Sequence, residues 1–252
     1  MIPKSICFNG CSFTFGEGFS QTERDRYTYD RLVAAQLRCD QDNISLPGSS
    51  NYLCFMRSCR AIISQKYDLV ITQWTALNRI WVFPGPDTGY FTNDVKHPDY
   101  RYRDLYLSEK EKKKFNETLL IMNHDYRNIM DLVDYCAVLG SLADHYNVKL
   151  IHINGLVPWQ RDLLNRSIDN LEKDLSDYTK QILDFANRQD HEVLSFFLDL
   201  QNKFLELDQT KWINLFESWQ NNLLDFASDG SHPGILSHRR MADCVIKHIK
   251  NM

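Results

Sequence analysis

No stretch of the 252 residues approaches the roughly 18 consecutive apolar positions of a membrane-spanning helix. Nor does Met1-Ile2-Pro3-Lys4 lead into a long apolar core followed by small residues, as a secretory leader would. The expectation is a soluble, cytoplasmic protein with no membrane partner. A basic excess is missing too: 29 Lys and Arg against 33 Asp and Glu leave a net charge of -4, which argues against a polyanion-binding surface and a nucleic-acid partner. The one lysine-rich run, Lys110-Glu111-Lys112-Lys113-Lys114, is short and bracketed by Glu109 and Glu117, as the solvated start of a helix would be. The seven cysteines lack the paired short-loop spacing of a disulfide framework, and Cys7 and Cys11 have no close Cys or His to complete a zinc site. They read as reduced thiols, several of them buried, in a reducing compartment, and no metal is called for. With no internal repeat, low-complexity tract or linker, residues 1–252 read as one domain.

What is present is a succession of short apolar runs alternating with helical patterns. Ser5-Ile6-Cys7-Phe8-Asn9, ended by Gly10, reads as a buried parallel strand opening into a loop, and a helix is expected over about 23–37. Asn43-Ile44-Ser45-Leu46, closed by Pro47-Gly48, reads as the second strand. Ser49, Ser50 and Asn51 are N-cap candidates for a helix to about residue 64, followed by a third strand at Asp68–Gln73. Residues 83–107, rich in Pro, Gly, Asp and Tyr, read as a loop insertion serving as a lid or facing the substrate. Leu119, Met122, Tyr126, Ile129, Val133, Ala137 and Gly140 recur at helical spacing, with Asn147 stopping the helix before a fourth strand at Val148–Ile153. Residues 159–226 are helical in composition, so a fifth strand would lie near Val193–Leu198, and a helix over 235–249 follows.

Two motifs carry chemistry. Gly10-Cys11-Ser12 follows the first strand, and Asp229-Gly230-Ser231-His232-Pro233 precedes the last helix. A serine hydroxyl is a weak nucleophile at neutral pH; it needs an imidazole to take its proton and a carboxylate to fix that imidazole's tautomer. A spacing of three lets Asp229 and His232 leave one tight turn on the same side. A plainer reading is also open: Asp-Gly-Ser as a simple turn, with Asp229 or Ser231 capping the helix. The elbow of α/β-hydrolases is disfavoured, because Thr14 stands where its second glycine belongs.

With these residues the chain resembles the SGNH hydrolase superfamily, the GDSL-type esterases and lipases, in order along its whole length. The resemblance implies a flavodoxin-like three-layer α/β/α sandwich around a central parallel sheet, with a helix-rich C-terminal half. It implies ester hydrolysis without metal or organic cofactor. The family's Gly-Asp-Ser corresponds to Gly10-Cys11-Ser12, with Cys11 in place of the acid, and its Asp-x-x-His corresponds to Asp229–His232. Gly48 matches the glycine whose N–H faces the oxyanion, although a Pro-Gly turn has a purely structural use as well. The family's Gly-x-Asn-Asp is poorly matched by Gln73-Trp74-Thr75-Ala76-Leu77-Asn78-Arg79: Asn78 is the oxyanion candidate, with Asn51 or Thr75 as alternative donors. The implied catalytic set is Ser12, Asp229 and His232, with the oxyanion held by Ser12, Gly48 and Asn78. Trp74 and Trp159 fall just after strands, where ligand crevices of parallel sheets lie, and Arg79 could pair with a substrate carboxylate or with an acid of the long loop; these three are the substrate-binding candidates. The expected partner is a small-molecule or carbohydrate ester, such as an acetyl ester. A catalytically silent carbohydrate-binding or assembly module on the same fold is the alternative.

Overall fold

A computed structural model of the chain describes residues 2–75, 79–82, 91–94, 125–154, 207–214 and 223–252, and for 79–82, 91–94, 125–129, 209 and 214 the backbone alone. The chain falls into two units, residues 1–157 with 211–252, and residues 158–210; the elements that follow belong to the first.

Seven strands are described: β1 (Ser5–Asn9), β2 (Asp40–Asn43), β3 (Leu69–Trp74), β4 (Arg79–Val82), β5 (Phe91–Asp94), β6 (Lys149–Asn154) and β7 (Trp212–Asn214). Five form one parallel sheet in the order β2-β1-β3-β6-β7, while β4 and β5 pair antiparallel. The helices are α1 (Ser12–Phe15), α2 (Gln21–Tyr27), α3 (Tyr29–Leu37), α4 (Asn51–Ile63), α5 (Asp125–Tyr146) and α6 (Ile235–Asn251). The central strands are apolar on both sides, which is what a parallel sheet covered by helices on two faces requires. Ile6 and Phe8 share a face with their partners Leu69 and Ile71 and with Ile151 and Ile153; α3 and α6 cover it with Tyr29, Val33, Leu37, Met241, Val245, Ile246 and Ile249. Cys7, Val70 and Leu150 point the other way, toward the buried Cys54 and Ile62 of α4 and Leu132, Cys136 and Leu139 of α5. The result is three layers, α/β/α, around a central parallel sheet.

Several boundaries differ from the sequence expectation. The second strand lies at Asp40–Asn43, not 43–46, and its four polar residues suit a sheet edge where neither face needs apolar cover. The chain beyond it still tracks β1, with Ile44 N–H on Phe8 O at 2.8 Å, while the Asn43 carboxamide takes the Ser45 N–H and bends the strand to a close. The helix expected over 23–37 is two helices broken at Thr28, whose backbone is extended and whose hydroxyl donates to Arg24 O. The break turns the Tyr29 N–H, an orphan at the start of α3, onto Nδ1 of His238 at 3.2 Å. The fifth strand is Trp212–Asn214, three residues too short to carry a pattern; 193–198 lies outside the described residues. Within the expected insertion at 83–107 the described part, Phe91–Asp94, is strand β5.

In α5 the buried stripe is Leu132, Val133, Cys136, Leu139 and Ala143, and Ala137 is exposed. The larger Leu132 and Leu139 turn their own stripe inward in preference to Ala137 and Gly140. Leu119 and Met122 lie outside the described residues, as do residues 155–206 and 215–222 of the C-terminal half. Asn147 ends α5 with a φ of 54°, the left-handed conformation asparagine tolerates. All seven cysteines are free thiols, four of them buried.

Candidate active site

In a sheet of this order the switch point lies between β1 and β3, and the crevice beyond their C-terminal ends is where such folds bind ligands. Ser12 stands there. β1 is anchored at its last residue by Asn9 Nδ2, which donates to Cys54 O at 2.6 Å and Ser58 Oγ at 2.8 Å. The chain then turns at Gly10, where a Cβ would lie 2.3 Å from Thr14 Oγ1 and 3.1 Å from Gln73 Cβ, so only glycine lets the turn sit this close to β3. Cys11 is wholly buried and extended, and Ser12 opens the one-turn helix α1. At that position its N–H has no intrahelical acceptor and remains available for another. Gly16, at a φ of 78°, closes the turn by donating to Ser12 O, as does the N–H of Glu17. Ser12 is 2% exposed, and its hydroxyl makes no hydrogen bond among the described residues.

The Pro47-Gly48 turn runs alongside. Leu46 N–H donates to Gly10 O at 3.3 Å and Asn43 Nδ2 to Thr14 O at 2.8 Å, tying the segment after β2 to the segment after β1. Pro47 precedes Gly48, whose φ is 72°, and Ser49 N–H closes the turn on Leu46 O; this is the type II pattern, and it leaves the Gly48 N–H outside the turn's own bond. Ser50 caps α4. Asn51 and Thr75 are committed to each other: Asn51 Oδ1 accepts from Thr75 N–H at 2.8 Å and Asn51 Nδ2 donates to Thr75 O at 3.2 Å. That reciprocal clamp ties the start of α4 to the end of β3, leaving Thr75 Oγ1 buried without a hydrogen-bond partner among the described residues.

The imidazole and carboxylate come from a tight loop between Phe226 and Pro233, which are joined by an antiparallel bridge. Ala227 N–H donates to His232 O at 2.8 Å, and Gly230 turns at a φ of 69°. Asp229 Oδ1 accepts the N–H groups of Ser231 and His232, both at 3.0 Å, and its Oδ2 lies 2.5 Å from His232 Nδ1. Partial burial raises the carboxyl's pKa, but those two N–H groups and the imidazole outweigh it and hold Asp229 at about 2. The carboxylate is therefore ionised and fixed on the ring. Capping of α6 falls to another residue: Asp225 accepts from Leu236 and Ser237 N–H, both at 2.9 Å, leaving Asp229 to the imidazole.

Contacts across the fold bring this loop to Ser12. Ser228 Oγ donates to Gly18 O at 2.6 Å, and a Cβ on Gly18 would meet Asp229 Oδ2 at 2.8 Å. The ring of His232 meets Phe13, the neighbour of Ser12, edge-on at 5.6 Å between centroids. His232 Nε2, however, lies 3.3 Å from Glu17 Oε2, and no hydrogen bond joins it to Ser12 among the described residues. Glu17 follows Ser12 by five positions, on a loop with no sequence motif to mark it. Trp74 is wholly buried, its indole N–H spent on His152 Nδ1 at 3.3 Å, with Trp212 on that histidine's other side. For Arg79 the structure describes the backbone alone, in β4, and Asn78 and Trp159 lie outside the described residues. Among the described residues no three His, Cys, Asp or Glu side chains gather as metal ligands, and no helix is long and apolar enough to cross a membrane.

No protein-family model matches the chain, and no curated protein matches it. Among solved structures it is similar to a catalytic mutant of an acetylxylan esterase from Geobacillus stearothermophilus, at 17% identity over 98% of this chain and 94% of that one, with a TM-score of 0.47. It is similar also to a GDSL-like lipase from Bacteroides thetaiotaomicron, at 15% identity over 98% and 88%, TM-score 0.46. A third is TesA, at 12% identity over 98% of each chain, TM-score 0.48.

Proposed function

We propose that this chain is a serine hydrolase that cleaves an ester, with Ser12 as nucleophile, His232 as general base and acid, and Asp229 as the orienting carboxylate. The single observation carrying the reading is the Asp229–His232 pair at 2.5 Å, seated against the residue next to a buried serine at the sheet's switch point. Asp229 keeps the proton on Nδ1, so a neutral His232 presents a lone pair at Nε2. Ser12 Oγ attacks the carbonyl carbon as its proton passes to Nε2, and the imidazolium returns that proton to the departing alcohol. Water then repeats the sequence on the acyl-serine. The negative oxygen is held by the N–H groups of Ser12 and Gly48, with Asn78 as a further donor, so the chain's own groups supply each step without a cofactor. The substrate is a small acyl ester, an acetyl group on a carbohydrate being the form proposed, with Arg79 and Trp159 on the substrate side. Trp74, wholly buried, is given no substrate contact.

The contact of His232 Nε2 with Glu17, in place of Ser12, favours a second reading: a catalytically silent carbohydrate-binding or assembly module on the same fold. Labelling with a fluorophosphonate separates the two. Attachment at Ser12, lost in Ser12→Ala, supports the hydrolase; no attachment to well-folded protein supports the silent module. Acetate released from acetylated sugars tests the substrate.

A further inference from the structure

His232 is flanked by two carboxylates, and the hydrolase chemistry uses only one. Nδ1 is held by Asp229 Oδ2 at 2.5 Å, so Nδ1 carries a proton. An ionised carboxylate has only acceptor oxygens, so Glu17 Oε2, 3.3 Å from Nε2, makes a favourable contact only when Nε2 carries a proton as well. A ring protonated at both nitrogens would satisfy both carboxylates at once. A neutral ring protonated at Nδ1 would turn a lone pair on the Glu17 carboxylate, which repels it, whereas a serine hydroxyl can donate to the same lone pair. The other contacts of the ring among the described residues are uncharged: the Phe13 ring, and the Ser231 hydroxyl at 3.2 Å from Nδ1. Asp229 from its own loop and Glu17 from the loop after α1 are thus the charged groups facing the ring among the described residues. One proton on Nε2 therefore selects between two partners, Glu17 and Ser12.

We propose that Glu17 is a positioning residue for His232, holding the protonated ring away from Ser12 and releasing the neutral ring to it. The proposal rests on the serine-hydrolase reading. Both partners of the contact are partly exposed, with side chains 38% exposed for Glu17 and 19% for His232. The effect on rate is accordingly modest, at most about fivefold, as for a solvent-accessible ion pair.

The experiment measures the rate at which a fluorophosphonate modifies Ser12 in wild type, Glu17→Gln and Glu17→Ala, across about pH 5.5 to 9, at fixed ionic strength and with folding followed by circular dichroism. With the carboxylate gone, the protonated ring loses its resting place. Both variants are then expected to react up to about fivefold faster than wild type on the acid side, the ratio falling to one as the ring becomes neutral. A ratio that stays constant with pH, whatever its size, is what a merely structural role would give and overturns the proposal while leaving the hydrolase reading intact. Absence of labelling in all three folded proteins overturns the hydrolase reading, and the proposal with it.

Discussion

Acid should weaken this fold through His238, and the size of the effect follows from the ring's surroundings. His238 lies on α6, wholly buried between Phe19 and Tyr29, with ring centroids 5.1 and 6.2 Å away. Its Nδ1 accepts the Tyr29 N–H at the start of α3, so the ring must be unprotonated there to do its work. Burial pushes its pKa down from the ordinary 6.5 to about 4, and the nearby Asp225 carboxylate offsets this only in part. Above pH 6.5 the ring is neutral folded or unfolded, and the stability is intact. Between 6.5 and about 4 the unfolded chain takes up a proton that the folded chain refuses, so folding loses roughly 1.4 kcal/mol per pH unit from this group, about 3 kcal/mol in all. His238→Asn removes the titration while leaving an oxygen that can accept from Tyr29. Urea unfolding of both proteins at several pH values from 7 down to 4, followed by tryptophan fluorescence, should show the wild type losing about 3 kcal/mol more than the variant over that range. Parallel decline of the two proteins would refute the reasoning. The same measurement separates loss of activity in acid by unfolding through His238 from any loss at the site itself.

Ser12→Ala and His232→Ala should each lower ester hydrolysis by several orders of magnitude, with unfolding midpoints close to wild type; Ser12→Ala retaining wild-type turnover of an activated ester would remove Ser12 as nucleophile. Asp229, held at about 2 against an ordinary 3.8, contributes stability that is whole above the higher value and lost as pH falls toward the lower, so Asp229→Asn should flatten the stability curve in that window. A methyl group at Gly10 has Thr14 Oγ1 at 2.3 Å in its way, so Gly10→Ala should cost about 1–3 kcal/mol in urea unfolding, and an unchanged midpoint would mean that the turn relaxes freely. Asn78→Ala should lower turnover by about 10²–10³ with little change in KM if Asn78 is an oxyanion donor, and a change within a few fold would exclude it.

How much of this was legible depended on whether the cause was local. β1, β3 and β6 announce themselves because strands buried on both faces must be apolar throughout, and Ile6-Cys7-Phe8, Leu69-Val70-Ile71 and Leu150-Ile151 are. β2 hides because an edge strand of Asp, Gln, Asp and Asn is held by backbone pairing to β1 and carries no hydrophobic signal. The break at Thr28 is likewise invisible, since the acceptor that rewards it, His238, is 209 positions away from Tyr29. The Asp229–His232 contact is local and follows from a spacing of three in a tight turn. The Glu17–His232 contact comes from two loops far apart in sequence and has no spacing to betray it.

The division of labour between Asp225 and Asp229 shows why the candidate site needs the whole of its loop. From the sequence, Asp229 could have been the cap of the last helix, and a carboxylate that turns both oxygens to helix N–H groups, as Asp225 does, faces away from an imidazole. Asp225 removes that competition by taking Leu236 and Ser237, and the bridge between Phe226 and Pro233 fixes the distance between the two acids. Gly234 completes the arrangement: a Cβ there would lie 2.5 Å from Asp225 Oδ2, so the cap can close on α6 only over a glycine. A larger residue at Gly234 would push Asp225 off the helix, and the freed N–H groups would become rivals for the nearest carboxylate in the loop. Gly234→Ala should therefore do more than weaken α6 by the roughly 1 kcal/mol of a lost cap. It should also reduce the reactivity of Ser12 toward a fluorophosphonate, because disorder in the cap reaches Asp229 through the turn they share. Reduced stability with fully retained labelling would show instead that the turn from Phe226 to Pro233 holds Asp229 on its own.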